Sequence, residues 1–204
     1  MPANDVKTQA TPLAATPADP ERQRAVSRLW RAESIYALVL VAFSVLALLA
    51  HFDNYFGWDL RIELALQSLP GLLNPMRVVS IFGNGWIPWA LTIITALIFY
   101  VYRRRSEAAG LALSAGGGSL LNILVKMLVG RPRPTPELVL VYRDLRTESF
   151  PSGHVTFYVC YFGFLFFVAF ALLPRGSWAR RTALFLTALP VALVGLSRVY
   201  LGAH

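Results

Sequence analysis

A chain of 204 residues has the length of a single domain. Only 15% of its residues are charged and 56% are apolar, with a mean hydropathy of +0.53, whereas a soluble globular domain carries about 25% charged residues, so an ordinary water-soluble core is excluded. The net charge of +8 does not point to nucleic acid, because Lys and Arg fall between apolar runs instead of along one stripe.

Taken in order, residues 1–19 are rich in Ala, Pro and Thr and lack apolar periodicity, which predicts a disordered tail. With the charged stretch after it, this tail makes residues 1–32 a cytoplasmic region ahead of a membrane domain over 33–204. A cleavable signal peptide is not expected, since the first apolar run starts only at Ile35 and no small-residue cleavage site follows within range. Five runs without Asp, Glu, Lys or Arg then appear, at 34–52, 78–102, 108–125, 155–173 and 182–197. Each approaches the roughly 17–25 residues of a membrane-spanning helix, and Arg180 and Arg181 can snorkel to lengthen the last. The expected fold class is all-α, a polytopic membrane helix bundle. Between the first two runs, residues 59–69 place Leu60, Leu64 and Leu66 among polar neighbours, as in a short amphipathic helix on the membrane surface. Gly116, Gly117 and Gly118 in the third run predict close helix approach. Cys160, the single cysteine, cannot form an internal disulfide.

Positive charge fixes an expected orientation, because Lys and Arg favour the inner side. Lys7, Arg22, Arg24, Arg28 and Arg31 precede the first run, Arg103, Arg104 and Arg105 follow the second, and Arg175, Arg180 and Arg181 follow the fourth. With the N-terminus inside, these eleven of the nineteen basic residues are cytoplasmic. Trp86 and Trp89 then mark the outer interface, with Tyr100 and Tyr102 at the inner one. Lys126, Arg131, Arg133, Arg143, Arg146 and Arg198 fall outside, against the bias, and an anionic ligand is the simplest reason for them.

Three short segments share that outer side: Lys126 followed after six residues by Arg133-Pro134, then Pro151-Ser152-Gly153-His154, then Ser197-Arg198 followed after five residues by His204. In these motifs the sequence resembles the type 2 phosphatidic acid phosphatase superfamily, with its K-x6-R-P, P-S-G-H and S-R-x5-H segments. That superfamily also holds prenyl-pyrophosphate, lipid A and glucose-6-phosphatases and the soluble vanadium haloperoxidases. By motif the resemblance covers 126–204, and by layout alone the first two runs. Any one motif alone would be weak; Lys126 by itself reads as a snorkelling span-end lysine, and Arg133 and Arg198 as interfacial anchors.

The residue types suit phosphoryl chemistry. A phosphate dianion repels a nucleophile until fixed positive groups neutralise its oxygens. Lys126 and Arg133 are candidates for two of these, on a path stiffened by Pro132, Pro134 and Pro136, and Arg198 supplies a third with a fork geometry. Ser152 and Gly153 open the fourth run, where free backbone N–H groups and the helix dipole attract an anion. The resemblance implies that His204 attacks phosphorus to form a phosphohistidine. It also implies that His154 protonates the leaving oxygen and then serves as base for water. The implied substrate partner is a lipid-linked phosphate among membrane lipids, with no nucleic acid partner, and candidate lipids are undecaprenyl pyrophosphate, phosphatidic acid and phosphatidylglycerol phosphate. No cofactor and no metal are expected, because Glu137, Asp144 and Glu148 are scattered without a ligand pattern. The expected location is the bacterial inner membrane, with the site on the periplasmic face. The oligomeric state is not readable from the sequence.

Arg198 and His204 are six residues apart, about 240° on an ideal helix, so they share a site only if the helix ends between them, for which Gly202 is suited. Members of the superfamily continue with an Asp four residues later and a sixth span, so the expectation here is five of six spanning helices, in a chain that is part of a longer protein. His51 reads as interfacial, and Asn122 as a helix–helix hydrogen-bonding residue that can also orient Lys126. Arg131, Arg143 and Arg146 read either as head-group contacts or as solvated loop charge. Two other function classes share the motifs: a lipid phosphotransferase with an alcohol acceptor, and a non-catalytic membrane protein that binds lipid phosphate. The haloperoxidase branch is disfavoured by the five apolar runs.

Overall fold

Inside a hydrocarbon layer a segment must satisfy its own backbone, which a helix does and an open strand does not. A computed structural model describes residues 20–53, 56–142 and 147–203, and among these the regular elements are all helical. They are α1 (Pro20–Phe52), α2 (Gly57–Gln67), α3 (Leu73–Ser80), α4 (Ile87–Val101), α5 (Arg105–Val129), α6 (Gly153–Leu172) and α7 (Trp178–Tyr200). The chain divides into two compact units, Met1–Ser44 and Val45–His204. In the first, Ile35, Tyr36, Leu38, Val39, Leu40 and Val41 are all exposed, a ring of apolar side chains with no polar face, as lipid contact requires.

Among the described residues, four helices are long and apolar enough to cross a membrane, or five if one bent pair counts as a single span. That bent pair corrects the sequence reading of 78–102 as one helix. α3 ends at Ser80, a 3-10 turn covers Ile81–Gly83, and α4 starts at Ile87, with the two pieces bent by 57°. Gly85 takes a φ of 54°, in the left-handed region that favours glycine, and Pro88 in the first turn of α4 cannot donate to a preceding helical turn. α4 alone, at 15 residues, reaches only about 22 Å of a hydrocarbon core about 30 Å thick.

α6 is the hub. It packs on α5 and α7, and α4 packs on α5. Leu111, Phe157, Tyr158, Tyr161 and Val194 form the buried core between them. Of the three consecutive glycines, only Gly118 lies at a tight crossing: a Cβ there would run into the Cys160 side chain, while Gly116 and Gly117 have nothing within 4 Å. Thr95 Oγ1 meets the Tyr161 hydroxyl at 2.7 Å, and Ser114 donates to the Cys160 carbonyl at 2.9 Å, tying α4 and α5 to α6 with groups that hydrocarbon cannot satisfy.

The amphipathic helix expected over 59–69 is α2, and it acts as a brace at the α7 end of the bundle. A second buried cluster, Met76, Tyr200 and Leu201 with Leu66, Leu72, Leu73 and Tyr142 around it, joins α2, α3 and the end of α7. Three residues at i, i+4 and i+8 mark one stripe of α2. Asp59 pairs with Arg131 at 2.7 Å. Gln67 donates to the carbonyls of Leu140 at 2.9 Å and Tyr200 at 3.1 Å, and accepts from Leu140 N–H at 3.0 Å. Glu63 lies between them, 1% exposed, and burial with the nearby Asp59 charge pushes its carboxyl up to about 7.

Candidate active site

The three motifs meet where α5, α6 and α7 reach the same end of the bundle. α5 stops at Gly130, whose φ of 64° closes the helix by an N–H bond back to the Lys126 carbonyl at 2.9 Å. Lys126 is buried in the last turn and donates to the Glu148 carbonyl. Arg133 reaches the same segment, with Nε donating to the Thr147 carbonyl at 2.6 Å and Nη2 to the Thr147 hydroxyl and Glu148 carbonyl at 3.2 Å. Its Nη1 donates to the carbonyl of Ala203, past the end of α7. Burial pulls the Arg133 guanidinium below its ordinary value, opposed by the Glu148 charge, but a guanidinium keeps its proton in either case. Arg133 thus clamps the 147–148 strand of loop to the third motif. Ser149 locks the loop further, its N–H donating to the Arg131 carbonyl at 2.8 Å.

The second motif begins α6 as its residue types demand. Ser152 is the N-cap, its side chain accepting from Val155 N–H, and Gly153 opens the helix. Asn122 on α5 holds this turn through its amide, which donates to the Pro151 carbonyl at 3.3 Å and to Thr156 Oγ1 at 2.9 Å. The helix–helix role expected for Asn122 is therefore present, and it is directed at the turn before His154 more than at Lys126. His154 Nε2 lies 3.1 Å from Asn84 Oδ1, in the break between α3 and α4. Its ring occupies the space where Gly83 has no side chain, since a Cβ on Gly83 would collide with it.

In the third motif, Arg198 is 5% exposed and its Nη1 donates to Ser80 Oγ at 2.7 Å. Ser197 is fully buried and donates to the Met76 carbonyl at 2.8 Å. Both bonds pin the end of α7 to α3. α7 ends at Tyr200, and Gly202 has a φ of 66°. Ala203 N–H returns to the Arg198 carbonyl and Gly202 N–H to the Val199 carbonyl, both at 3.1 Å, the paired bonds of a glycine-terminated helix. The helix therefore stops between Arg198 and residue 204, as the spacing requires. His204 itself lies outside the described residues, as do Arg143, Asp144 and Arg146.

A cavity of about 320 Å³ opens between α3, the break before α4, and the end of α7. Arg198, Ser80, Asn84 and Ala203 line it, so the third motif and the partner of His154 face one space. Arg77 and Tyr142 line its side, with the guanidinium 5.8 Å from the ring centroid. Lys126 and Arg133 are not in its lining; they converge on the 147–148 carbonyls beside it. Such a space, with two guanidinium groups and a histidine one hydrogen bond away, can hold an anion and exchange a proton with it.

Sequence reasoning missed Arg77, Asn84 and Glu63. Arg77 precedes an uncharged run and looks like any interfacial anchor, Asn84 sits between two glycines that read as a turn, and the burial of Glu63 exists only once α2 has docked. Arg131, read as head-group contact or solvated charge, pairs with Asp59 and lies 4.9 Å from the Phe56 ring centroid. His51, read as interfacial, lies with its Nδ1 2.9 Å from the Val129 carbonyl at the end of α5. Among the described residues no group of three or more His, Cys, Asp or Glu comes together in a way that suits a metal ion.

Comparison with known proteins places this geometry. Residues 107–204 match the PAP2 superfamily. Decaprenylphosphoryl-5-phosphoribose phosphatase of Mycobacterium tuberculosis is 33% identical over 148 residues, covering 70% of this chain and 73% of that protein. Phosphatidylglycerophosphatase B of Bacillus subtilis is 29% identical over 164 residues, or 79% of each chain. The crystal structure of a transmembrane PAP2 type phosphatidylglycerolphosphate phosphatase from Bacillus subtilis superposes with a TM-score of 0.66 at 25% identity, over 80% of this chain and 83% of that one. With its apolar helices and its three motifs gathered at one end of the bundle, this chain belongs to the PAP2 superfamily, as an integral membrane phosphatase.

Proposed function

We propose that the protein hydrolyses a lipid phosphate or pyrophosphate through a phosphohistidine at His204, with the site on the outer face of a bacterial inner membrane. The observation that carries this reading is the cavity shared by Arg198, Asn84 and Ala203, with His154 bonded to Asn84 at its edge. Arg198 offers a planar pair of donors to a phosphate, and its bond to Ser80 fixes its direction. His204 follows Ala203 directly, and its imidazole attacks phosphorus as the bond to the lipid oxygen breaks. His154 gives that oxygen its proton, then takes one from the water that displaces His204 and releases phosphate. Lys126 and Arg133 bond the carbonyls of 147–148 and 203, so they add positive potential while holding the loop around the site. Ser152 and Gly153 add the N-terminal dipole of α6. The relatives act, by their names, on a decaprenyl-linked phosphoribose and on phosphatidylglycerophosphate, which supports a lipid carrier as the leaving group here.

The test is phosphate release from a panel of lipid mono- and pyrophosphates, using the protein expressed from its full reading frame and reconstituted in bilayers without divalent metal. Acid-quenched, alkali-stable labelling from phosphate-labelled substrate is followed in parallel. Wild-type protein should release phosphate and take up label. His204→Ala should do neither, and His154→Ala should retain label formation better with an acidic leaving group. Label on His204→Ala but not on His154→Ala would reverse the two roles. Transfer of the phosphoryl group to an added alcohol in preference to water would identify a phosphotransferase, and binding without turnover would remove the enzymatic reading.

A further inference from the structure

The break between α3 and α4 supplies two contacts that lie outside the three motifs. Ser80, at the end of α3, accepts from Arg198 at 2.7 Å, and Asn84 Oδ1, past the 3-10 turn, lies 3.1 Å from His154 Nε2. The break precedes residues 107–204, which carry the match to the superfamily. Asn84 is held there through its backbone: its N–H donates to the Ile81 carbonyl and its carbonyl accepts from Ile87 N–H, both at 3.1 Å. The Tyr158 hydroxyl, about one turn along α6 from His154, donates to the Val79 carbonyl and ties the break to that helix. The separation of Asn84 and His154 is thus fixed from both sides.

A carboxamide oxygen accepts and cannot donate, so the Nε2 that faces Asn84 Oδ1 carries a hydrogen. The same ring edge faces the break, since a Cβ on Gly83 would collide with Cδ2 and lie 3.0 Å from Nε2. Nδ1 is on the opposite edge. A neutral imidazole has two tautomers, and only the one with its hydrogen on Nε2 has a lone pair on Nδ1. We propose that Asn84 is a positioning residue that fixes this tautomer and the ring's orientation, so that His154 serves as acid and then as base through Nδ1. This role rests on the proposed phosphohistidine mechanism and names the residue that directs its proton. In the first step the Nδ1–H bond of the imidazolium breaks as the leaving oxygen gains that proton, and the neutral ring keeps its Nε2 hydrogen on Asn84. In the second, Nδ1 takes a proton from water as the water oxygen bonds phosphorus and the bond from phosphorus to His204 breaks. Asn84 lines the Arg198 cavity, so an uncharged acceptor orients the ring without placing negative charge beside the phosphate.

The experiment follows formation and loss of the acid-quenched label at saturating substrate, in the full-reading-frame protein in bilayers. The substrates are phosphatidic acid, with an alkyl leaving group, and p-nitrophenyl phosphate. Asn84→Leu, near in size but without an acceptor, should slow label formation from phosphatidic acid by about tenfold and leave that from the p-nitrophenyl ester within about twofold. Label loss, the same step for both substrates, should slow by about tenfold. Asn84→Ala carries the same expectation without added bulk, so misfolding of one variant does not decide the matter. Asn84→Asp keeps an acceptor and should hold both steps near the wild-type rate, although its charge raises KM. Because Asn84 acts through His154, the double variant Asn84→Ala/His154→Ala should be no slower than His154→Ala. Wild-type rates in Asn84→Leu and Asn84→Ala, equal losses on both esters, failure of Asn84→Asp to restore either step, or multiplicative losses in the double variant overturn the assignment. Wild-type protein that releases phosphate without taking up label removes the proposed mechanism and this role with it. Normal wild-type labelling beside unaffected Asn84 variants removes this role alone.

Discussion

Gly83→Ala isolates the seating of His154 from its chemistry. The added methyl would occupy the space of the imidazole, so either the ring turns or the break before α4 moves. Forcing one carbon into a packed site costs about 1–3 kcal/mol, less than the cost of unfolding a helical domain, so the protein should still fold. Turning the ring breaks its 3.1 Å contact with Asn84 and, on the proposed mechanism, withdraws the proton donor from the leaving oxygen. General acid catalysis contributes about 10²–10⁴-fold, so kcat on an alkyl lipid phosphate should fall on the order of 10²-fold. The p-nitrophenyl ester, with its acidic leaving group, should lose far less. Because both changes act on one group, the double variant Gly83→Ala/His154→Ala should be no slower than His154→Ala alone. Steady-state rates on both substrates in bilayers are the assay, with thermal unfolding as a control for folding. Full alkyl-phosphate activity in Gly83→Ala, or multiplicative losses in the double variant, would refute the reasoning that Gly83 exists to admit His154.

Two further predictions concern α2 and orientation. The Glu63 carboxyl is raised in the fold, so the folded state holds its proton more tightly than the unfolded chain, and its stability contribution is complete below the ordinary carboxylate value and is lost as pH rises through about 7. Glu63→Gln should therefore match wild type at pH 4 and exceed it at pH 8, on the order of 3 kcal/mol, and an equal Tm difference at both pH values would contradict this. For orientation, in a Cys160→Ala background, Glu137→Cys should react with an impermeant thiol reagent from outside and Arg175→Cys only after permeabilisation; the reverse pattern would invert the proposed topology.

Periodicity and charge alone carried the helical membrane class, because a hydrocarbon layer admits few backbone solutions and the apolar runs are long. The amphipathic segment before the second run was legible for the same reason, and it appears as α2. The end of α7 before residue 204 followed from helix geometry and from the permissiveness of Gly202. Lys126, Arg133, Ser152, Gly153, His154 and Arg198 were singled out as candidates by spacing and resemblance, which name residues but not their partners.

What only the tertiary structure decided is how those residues are held and what lies between them. The break at 81–86 was hidden because an apolar run with two glycines and a proline reads equally as one span or as two pieces, and packing against α6 and α7 settles it. Arg133 and Lys126 turned out to grip the 147–148 carbonyls, a pairing that joins residues distant in the chain and has no sequence signature. Asn84 beside His154, Ser80 beside Arg198, and the buried Glu63 arise in the same way. The sequence by itself determined which groups the protein carries and on which helices, because composition and period act locally. Which cavity each group faces depends on helix crossings, and these are set by long-range packing at positions such as Gly83 and Gly118, where a single methyl group decides how near two elements can come.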